Sequence, residues 1–546
     1  MQNFNSPLEA FQYWERKIPN AIFLKQPING ILTNYTFAQV GKESRKIANA
    51  IKNFNLPEKS PIALISKNCP HWHMADLAIM MSGHISIPIY PTLNAASINQ
   101  ILVHSESKAI IIGKLDNYES QQSGIPDIPK ICVGLYGDYK EPLWEDIVSK
   151  GQEITTVYIQ KPEDLYTIIY TSGTTGEPKG VMHTVNNFMV SVKSLYAGLP
   201  IEDNSKLFSF LPIAHVAERV LENLSFVIGA TVSFPESLES FASDLEKTQP
   251  NFIFAVPRIW SKFQEKILEN LPQKKLSTLL KIPIVNGIIK KKLQQKLGLR
   301  EAKYIVSGAA PIAPSLVHWF ETIGITILQG YGMTEDCIIS HFNKPTANRV
   351  GTVGKAVVNV SIKLSSEGEI CIKNNCLMKG YYKAPEITAS VFDEEGYFKT
   401  GDVGEYDHDG FLTITGRVKD QFKTDKGKYI SPAPLELKMA ANKDIDQICI
   451  VGTGIPQPIA LITLSELGKA KSKESLCAGL IETVNQINPG FEKHEKIEKI
   501  IIMKEDWNVG NGLTTPTLKV KRNSVEKIHQ HYYKSWFDSK EKVLFE

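Results

Sequence analysis

Short apolar, β-rich runs alternate with helical segments through the first 160 residues, and this alternation constrains the chain more than any other feature. Phe37 to Phe54 carries apolar positions at helical spacing, and Pro61 to Ile65 is a short apolar run. Met74 to Met81 is helical, Ile85 to Ile89 β-rich, Ile98 to His104 helical, and Ala109 to Ile112 apolar again. The pattern predicts βαβ units around a largely parallel sheet, an α/β fold. Tyr166 to Tyr170 continues it, followed by strand-like runs at Phe252 to Val256, Tyr304 to Val306 and Ile325 to Leu328, each beside a Gly- or Pro-bearing loop. From about Val353 to Ile414 the pattern changes. Short β runs (Ser361 to Leu364, Gly368 to Ile372, Gly410 to Ile414) stand between turn residues with no helix to cover them, which predicts an antiparallel β subdomain. After Gly416 the chain is polar and Lys-rich. It then builds small α+β units at Ile448 to Gly452, Ile459 to Leu464 and Ile500 to Met503. The expected architecture is a large N-terminal domain over 1–416 and a small mobile α+β domain over 417–546, the boundary falling between Gly416 and Asp420.

Composition narrows the function. Of 546 residues, 42% are hydrophobic and 22% charged, with 36 Gly and 30 Pro, which excludes collagen-like and low-complexity classes. Lys plus Arg number 61 against 58 for Asp plus Glu, a net charge of +3. A chain so nearly balanced is not built mainly to bind polyanions, and only scattered lysines speak for nucleic acid. The seven cysteines include no CxxC pair, so neither a disulfide framework nor a structural zinc site is expected and a reducing compartment fits. The first ten residues lack a basic-then-apolar signal pattern. The most apolar stretch, Trp72 to Leu93, contains His73, Asp76 and His84 and reads as a buried helix leading into a strand. A cytoplasmic enzyme is expected.

The run Thr171-Ser172-Gly173-Thr174-Thr175-Gly176-Glu177-Pro178-Lys179-Gly180 follows a strand directly. Its glycines let the backbone turn tightly and aim N–H groups inward, its hydroxyls add donors, and Lys179 adds positive charge. These are the parts needed to hold a polyphosphate. No Gly-Lys-Ser/Thr ends the run, so it is not a Walker A loop.

The string resembles the phosphate-binding signature of the adenylate-forming superfamily, which includes acyl- and aryl-CoA ligases, luciferases and the adenylation domains of peptide synthetases. Further segments match that family in order. Leu211 to His215 resembles its substrate-side motif, and Ser307-Gly308-Ala309-Ala310-Pro311 its adenine-side loop. Gly330-Tyr331-Gly332-Met333-Thr334-Glu335 resembles the nucleotide and metal motif, Thr400-Gly401-Asp402 the ribose motif, and Gly416 to Asp420 the interdomain hinge.

The resemblance implies ATP, Mg²⁺ and coenzyme A as co-substrates and assigns roles. Thr171, Ser172, Gly173, Thr174, Thr175, Gly176 and Lys179 would hold phosphates. Gly308, Ala309, Ala310, Gly330, Tyr331, Gly332 and Met333 would surround the nucleotide, with Tyr331 stacked on adenine. Thr334 would contact the α-phosphate, and Glu335 would hold the metal. Asp402 would take the ribose diol with help from Arg417. Lys519 would neutralise charge developing in the adenylation step. It lies in Thr515-Pro516-Thr517-Leu518-Lys519-Val520-Lys521-Arg522, where Leu518 replaces the glycine of the commoner Ser-Gly-Lys pattern, and it is favoured over Lys521. His215 would lie between the nucleotide and acyl sites. Lys419 would be the hinge, and the basic loop Lys423, Thr424, Lys426, Gly427 and Lys428 would line the passage for coenzyme A.

Leu211 to Arg219, Val256-Pro257-Arg258-Ile259-Trp260, Phe422-Lys423-Thr424, Tyr429 to Pro432 and Thr515 to Arg522 all resemble the long-chain fatty acid–CoA ligases. The implied partners are therefore a fatty acid, ATP and coenzyme A. Residues 262–303 hold eleven Lys or Arg against three Glu, interleaved with Leu and Ile. A basic amphipathic stretch of this kind can lie on an anionic membrane or form a solvated face. The alternatives are a fatty acyl-AMP ligase loading a carrier protein, a medium-chain or aryl acid–CoA ligase, and an inactive nucleotide- or acyl-binding protein. Intact Thr174, Glu335, Asp402 and Lys519 argue against the last. The sequence sets no oligomeric state.

Overall fold

The computed structural model describes residues 2–140, 142–172 and 178–546. Two mixed sheets dominate the large N-terminal part. In the first the strand order is Gly380–Tyr381, Pro178–Thr184, Leu165–Ser172, Ile85–Ile89, Pro61–Ile65, Ala109–Ile112, Lys130–Cys132. The five strands from Leu165–Ser172 to Lys130–Cys132 are parallel, and the two at the other end run antiparallel.

The second sheet has nine strands, in the order Lys355–Ala356, His341–Phe342, Leu328–Tyr331, Tyr304–Ser307, Phe252–Ala255, Lys206–Phe208, Thr231–Ser233, Ile22–Ile28, Ile31–Thr36. Its six central strands are parallel. The expected run at Ile325 to Leu328 lies three residues late. Pairing begins at Val306↔Leu328, so the strand is Leu328–Tyr331, and Ile325 and Ile327 are buried in its approach.

Between the sheets lie four helices whose apolar faces form one core. Phe37–Lys52 starts at a capping box, Thr36 with Gln39, and Val185–Gly198 at a second, Thr184 with Asn187. Every residue of Pro70–Met81 is buried, polar His71, His73 and Asp76 included, so the helix shows no solvent-facing stripe. Val216–Ile228 ends at Gly229, whose φ of +62° suits a left-handed C-cap. No helix among the described residues is long and apolar enough to cross a membrane.

Residues 361–417 form the expected antiparallel sheet, Ser361–Leu364, Glu369–Lys373, Phe398–Tyr406 and Leu412–Arg417 in that order. The last strand starts two residues later than its sequence predicts, because Gly410 at φ +81° belongs to the preceding turn. The C-terminal part pairs Ile445–Val451, Ile459–Leu464, Lys499–Ile502 and Val543–Phe545 and packs helices around two hydrophobic clusters of its own. The basic stretch 262–303 resolves into parts of three helices, Pro257–Asn270, Gln273–Lys281 and Pro283–Lys296, with a short connection to the next strand.

The core holds one charged knot. Arg219, fully buried, places Nη1 2.8 Å from Asp76 Oδ2 and 2.6 Å from Glu222 Oε2. Tyr166 Oη donates to the same Asp76 oxygen at 2.9 Å, and its ring lies 4.9 Å beneath the guanidinium. The knot ties the helix beginning at Val216 to the helix Pro70–Met81 and the strand Leu165–Ser172. Removing one partner of a buried pair leaves the other charge uncompensated. Arg219→Leu should therefore lower unfolding free energy by about 3–5 kcal/mol, read by urea denaturation. Arg219→Leu with Asp76→Asn should recover part of the loss, and a single-variant loss below about 1 kcal/mol would refute the ion-pair account.

Candidate active site

Three loops leave the C-terminal ends of parallel strands in the nine-stranded sheet, where α/β sheets place ligand sites. Lys206–Phe208 leads into the Leu211–His215 segment, Tyr304–Ser307 into Gly308-Ala309-Ala310, and Leu328–Tyr331 into Gly332-Met333-Thr334-Glu335. The last two strands are neighbours, so their loops meet. A Cβ on Gly308 would lie 3.1 Å from the Gly330 carbonyl oxygen, and Ala309 takes a left-handed φ of +65°. Gly332 is required by space, since a Cβ there would lie 2.3 Å from the Ile338 backbone.

A network of buried groups fixes Thr334 and Glu335. His183, fully buried, bonds the Thr334 carbonyl through Nε2 at 2.7 Å and meets the Cys337 thiol at Nδ1 at 3.3 Å. Burial pushes this imidazole down to about 4, so it is neutral and its Nε2–H is the donor. Asp336 accepts the Met333 N–H at 2.8 Å, and burial pushes its carboxyl up to about 8. Glu335 accepts from Tyr381 Oη at 2.8 Å, and the Lys179 ammonium sits 5.2 Å over the Tyr381 ring. Lys179 faces Thr171 across the strand pair that ends at Ser172↔Pro178. Gly173, Thr174, Thr175 and Gly176 lie outside the described residues.

Among the described residues no group of three or more His, Cys, Asp or Glu side chains could hold a metal ion. A single carboxylate such as Glu335, half-buried with one oxygen on Tyr381, suits a Mg²⁺ that arrives with nucleotide phosphates.

Asp402 and Arg417 face each other across adjacent strands, a register that puts the Arg417 Nε 2.6 Å from Asp402 Oδ1. Tyr331 Oη donates to Asp402 Oδ2 at 2.7 Å. Asp402's charge holds the Arg417 guanidinium firmly protonated. The Tyr331 hydroxyl is raised well above its ordinary range by burial first and Asp402 second.

His215 caps the helix Val216–Ile228, its Nδ1 accepting from Ala217 N–H at 3.2 Å. Burial, with the Lys519 charge second, pushes its pKa down to about 3. The ring is therefore neutral above pH 5 with its proton on Nε2, a donor for a carboxylate or phosphate oxygen. Asn68 holds the segment before it. Its Nδ2 donates to Ser209 Oγ (2.8 Å) and Leu211 O (2.7 Å), and its Oδ1 accepts from Ile213 N–H (3.2 Å).

Lys519 comes from the other end of the chain. It is enclosed by protein on many sides yet open to solvent within the cleft. Burial and then Arg417 lower its pKa, while Asp402 and Glu335 hold it up. The turn beneath it is tight: Thr515 N–H donates to Lys519 O at 2.8 Å, and Lys519 N–H to Thr515 Oγ1 at 3.1 Å. Leu518 sits at φ +65°, a left-handed conformation that glycine adopts without cost. Arg522, three residues on, bonds Glu436 and the Ile450 carbonyl and anchors the turn to its own domain. Lys521 instead caps the helix Arg522–His529.

The structure thus brings together Tyr331, Glu335, Asp402, Arg417, His215 and Lys519. Lys419 lies apart, exposed in a single helical turn, Val418–Asp420, between the antiparallel sheet and the C-terminal part. Lys423, Lys426, Gly427 and Lys428 are exposed in a hairpin that buried Thr424 closes through N–H to Lys428 O at 2.9 Å and that Asp425 N–H ties to the Ile455 carbonyl at 3.2 Å. Arg258, in the segment after Phe252–Ala255, joins the two parts through Asp446 at 2.7 Å. Tyr381, His183 and Asn68 carry no motif and no periodicity, so only the fold reveals them.

Two outcomes check this geometry. Leu518→Gly should retain wild-type adenylation, whereas the β-branched Leu518→Val should lower it about tenfold by straining the turn under Lys519. His215→Asn keeps a good cap and removes the ring. Its rate should fall by a constant factor from pH 5 to 9, because the native ring is neutral throughout. A ratio that changes near pH 6.5 would contradict the neutral assignment.

A family model described as AMP-binding enzyme matches residues 11–382, and one described as AMP-binding enzyme C-terminal domain matches residues 419–540. A long-chain-fatty-acid–CoA ligase of Mycobacterium bovis is 28% identical, the match covering 94% of this chain and 93% of that protein. Long-chain-fatty-acid–CoA ligase 5 of Mus musculus is 26% identical, over 92% of this chain and 84% of its own. The crystal structure of the adenylation domain of a carboxylate reductase from Mycobacterium chelonae matches with a TM-score of 0.83 at 19% identity, over 98% of this chain and 92% of that one. With its motifs in order, its strand-end loops converging on one cleft and both family models matched, the chain belongs to the AMP-binding, adenylate-forming enzymes.

Proposed function

We propose that the protein is a long-chain fatty acid–CoA ligase. In the first step a carboxylate oxygen attacks the α-phosphorus of ATP. The O–P bond forms, the bond to the β-phosphate oxygen breaks, and pyrophosphate leaves. In the second the coenzyme A thiolate attacks the acyl carbonyl, and AMP leaves with the former carboxylate oxygen. The observation that carries the first step is Lys519, delivered by the C-terminal domain into the cleft that holds Glu335, Asp402 and Arg417. A cation there, preorganised and partly shielded from water, stabilises charge building on the attacked phosphate.

Asp402, tied to Arg417 and Tyr331, is the acceptor for a ribose diol, and Tyr331 offers its ring to adenine. Thr334, Lys179 and the hydroxyl and glycine residues from Thr171 to Gly176 would hold the phosphates. Glu335 would hold Mg²⁺, which would supply positive charge to offset that of the phosphates. The neutral Nε2–H of His215 orients the acid's carboxylate.

The domains divide near residue 416, and Lys419 is the hinge, where a few residues absorb a large φ/ψ change. Rotation there would withdraw Lys519 and present the Lys423–Lys428 hairpin, whose exposed lysines suit the phosphates of coenzyme A. Choice of a long-chain acid is supported by the named relatives and by the segments around His215, Trp260 and Lys519.

The test is pyrophosphate release from ATP across straight-chain acids of graded length. Release should rise with chain length and be followed by an acyl thioester when coenzyme A is added. Lys426→Ala with Lys428→Ala should slow thioester formation about tenfold while leaving pyrophosphate release intact, as expected if those lysines meet only the thiol substrate. Release with no acid of medium or long chain would sink the fatty-acid reading.

A further inference from the structure

The charge in residues 262–303 is not evenly neutralised. Lys262 pairs with Glu265, Lys266 with Glu269, Lys296 with Glu246 and Lys303 with Glu202. The first two pairs sit on the helix Pro257–Asn270, the third at the end of Pro283–Lys296 and the fourth just before the strand Tyr304–Ser307. The remaining seven cations have no acidic partner within ion-pair distance among the described residues. Residues 271–300 contain no Asp or Glu at all. The unneutralised charge is thus concentrated on the hairpin of helices Gln273–Lys281 and Pro283–Lys296 and just beyond it.

The same hairpin exposes aliphatic side chains. Its inner face is used: Leu276, Leu280, Ile289 and Leu293 pack on the cluster around Trp260, Phe263 and Phe320. Its outer face is not. Ile282 at the corner is 45% exposed, Ile284 81% and Ile288 60%. Ile284, Ile288 and Lys291 follow at i, i+4 and i+7, one stripe along the helix. Lys281 stands at the corner beside Ile282, and Lys292 flanks the stripe; both are exposed.

We propose that this hairpin is a membrane-docking element, seating Ile282, Ile284 and Ile288 among the acyl chains of an anionic bilayer while the lysines meet lipid phosphates. Charge complementarity selects this occupant. A stable protein partner would need to cover about 800 Å² of this side, more than three isoleucines on two helical turns offer. A lipid surface needs only a shallow apolar wedge, to which each nearby cation adds attraction. Lysine stems also bury readily against acyl chains while their heads stay in water. The proposal goes beyond the fatty-acid reading and does not depend on it. If that reading holds, docking would place the enzyme where its water-poor substrate is dissolved.

Flotation with extruded vesicles tests it without substrate. Phosphatidylcholine vesicles with about a third phosphatidylserine should carry the protein up in low salt and release it as salt screens the charge, and pure phosphatidylcholine should carry little. Ile284→Ser with Ile288→Ser, and separately Lys281→Glu, Lys291→Glu and Lys292→Glu together, should each lower the bound fraction at least about tenfold. ATP–pyrophosphate exchange with albumin-delivered acid and thermal unfolding should stay at wild-type values in both. Equal binding to both vesicle types, no binding to either, or binding that both variants leave unchanged would overturn the proposal. So would a concentration-dependent dimer that both variants dissolve, since the face would then belong to a second copy of the chain.

Discussion

Everything in the cleft depends on placing one lysine ammonium, carried near the end of the chain, against groups contributed a hundred and more residues earlier. An isolated cation loses hydration when it enters such a space. Here the loss is offset by the carboxylates of Asp402 and Glu335, while Arg417 works against it. The balance leaves Lys519 less basic than in water, although its side chain is exposed. On the proposed reading, such a cation gains most when additional negative charge arrives, which is the situation of a polyphosphate under attack.

The scaffold is arranged so that each partner of that lysine is held from behind. Asp402 meets Arg417 because two antiparallel strands set them opposite each other. Glu335 leans on Tyr381, and Thr334 is pinned by a histidine that burial keeps neutral. His215 owes its place to a helix start, to Asn68 before it and to the Arg219 knot after it. The lysine's own turn is strained at Leu518 and bolted down by Arg522. These are separate devices on separate elements, and they converge where strands Lys206–Phe208, Tyr304–Ser307 and Leu328–Tyr331 of one parallel sheet end on the same side.

Much of this was legible in the sequence, for reasons that differ by element. The parallel strands announced themselves as short unbroken apolar runs, and Ser361–Leu364 and Ile459–Leu464 fall where their residues predict. Strand ends drifted where pairing, not composition, sets the limit, as at Leu328. The helix Pro7–Lys17 and the strands Ile22–Ile28 and Ile31–Thr36 were not anticipated. The two strands join the nine-stranded sheet through Thr231–Ser233, a partner two hundred residues away. Glu335, Asp402, Arg417 and Lys519 were singled out by the resemblance of their motifs, and the structure gathers them in one place. Those that support them, His183, Asn68 and Tyr381, were not, because their roles follow from long-range contacts that no local spacing encodes.

The central claim is that Lys519, and not its neighbour Lys521, supplies the charge for adenylation. Single-turnover formation of acyl-AMP tests it most directly, with the second half-reaction started separately from preformed acyl-AMP and coenzyme A. Lys519→Ala should slow acyl-AMP formation by about 10²–10³ and leave thioester formation from acyl-AMP near normal, whereas Lys521→Ala should leave both steps near normal. Full acyl-AMP formation by Lys519→Ala, or equal losses in both half-reactions, would contradict the account.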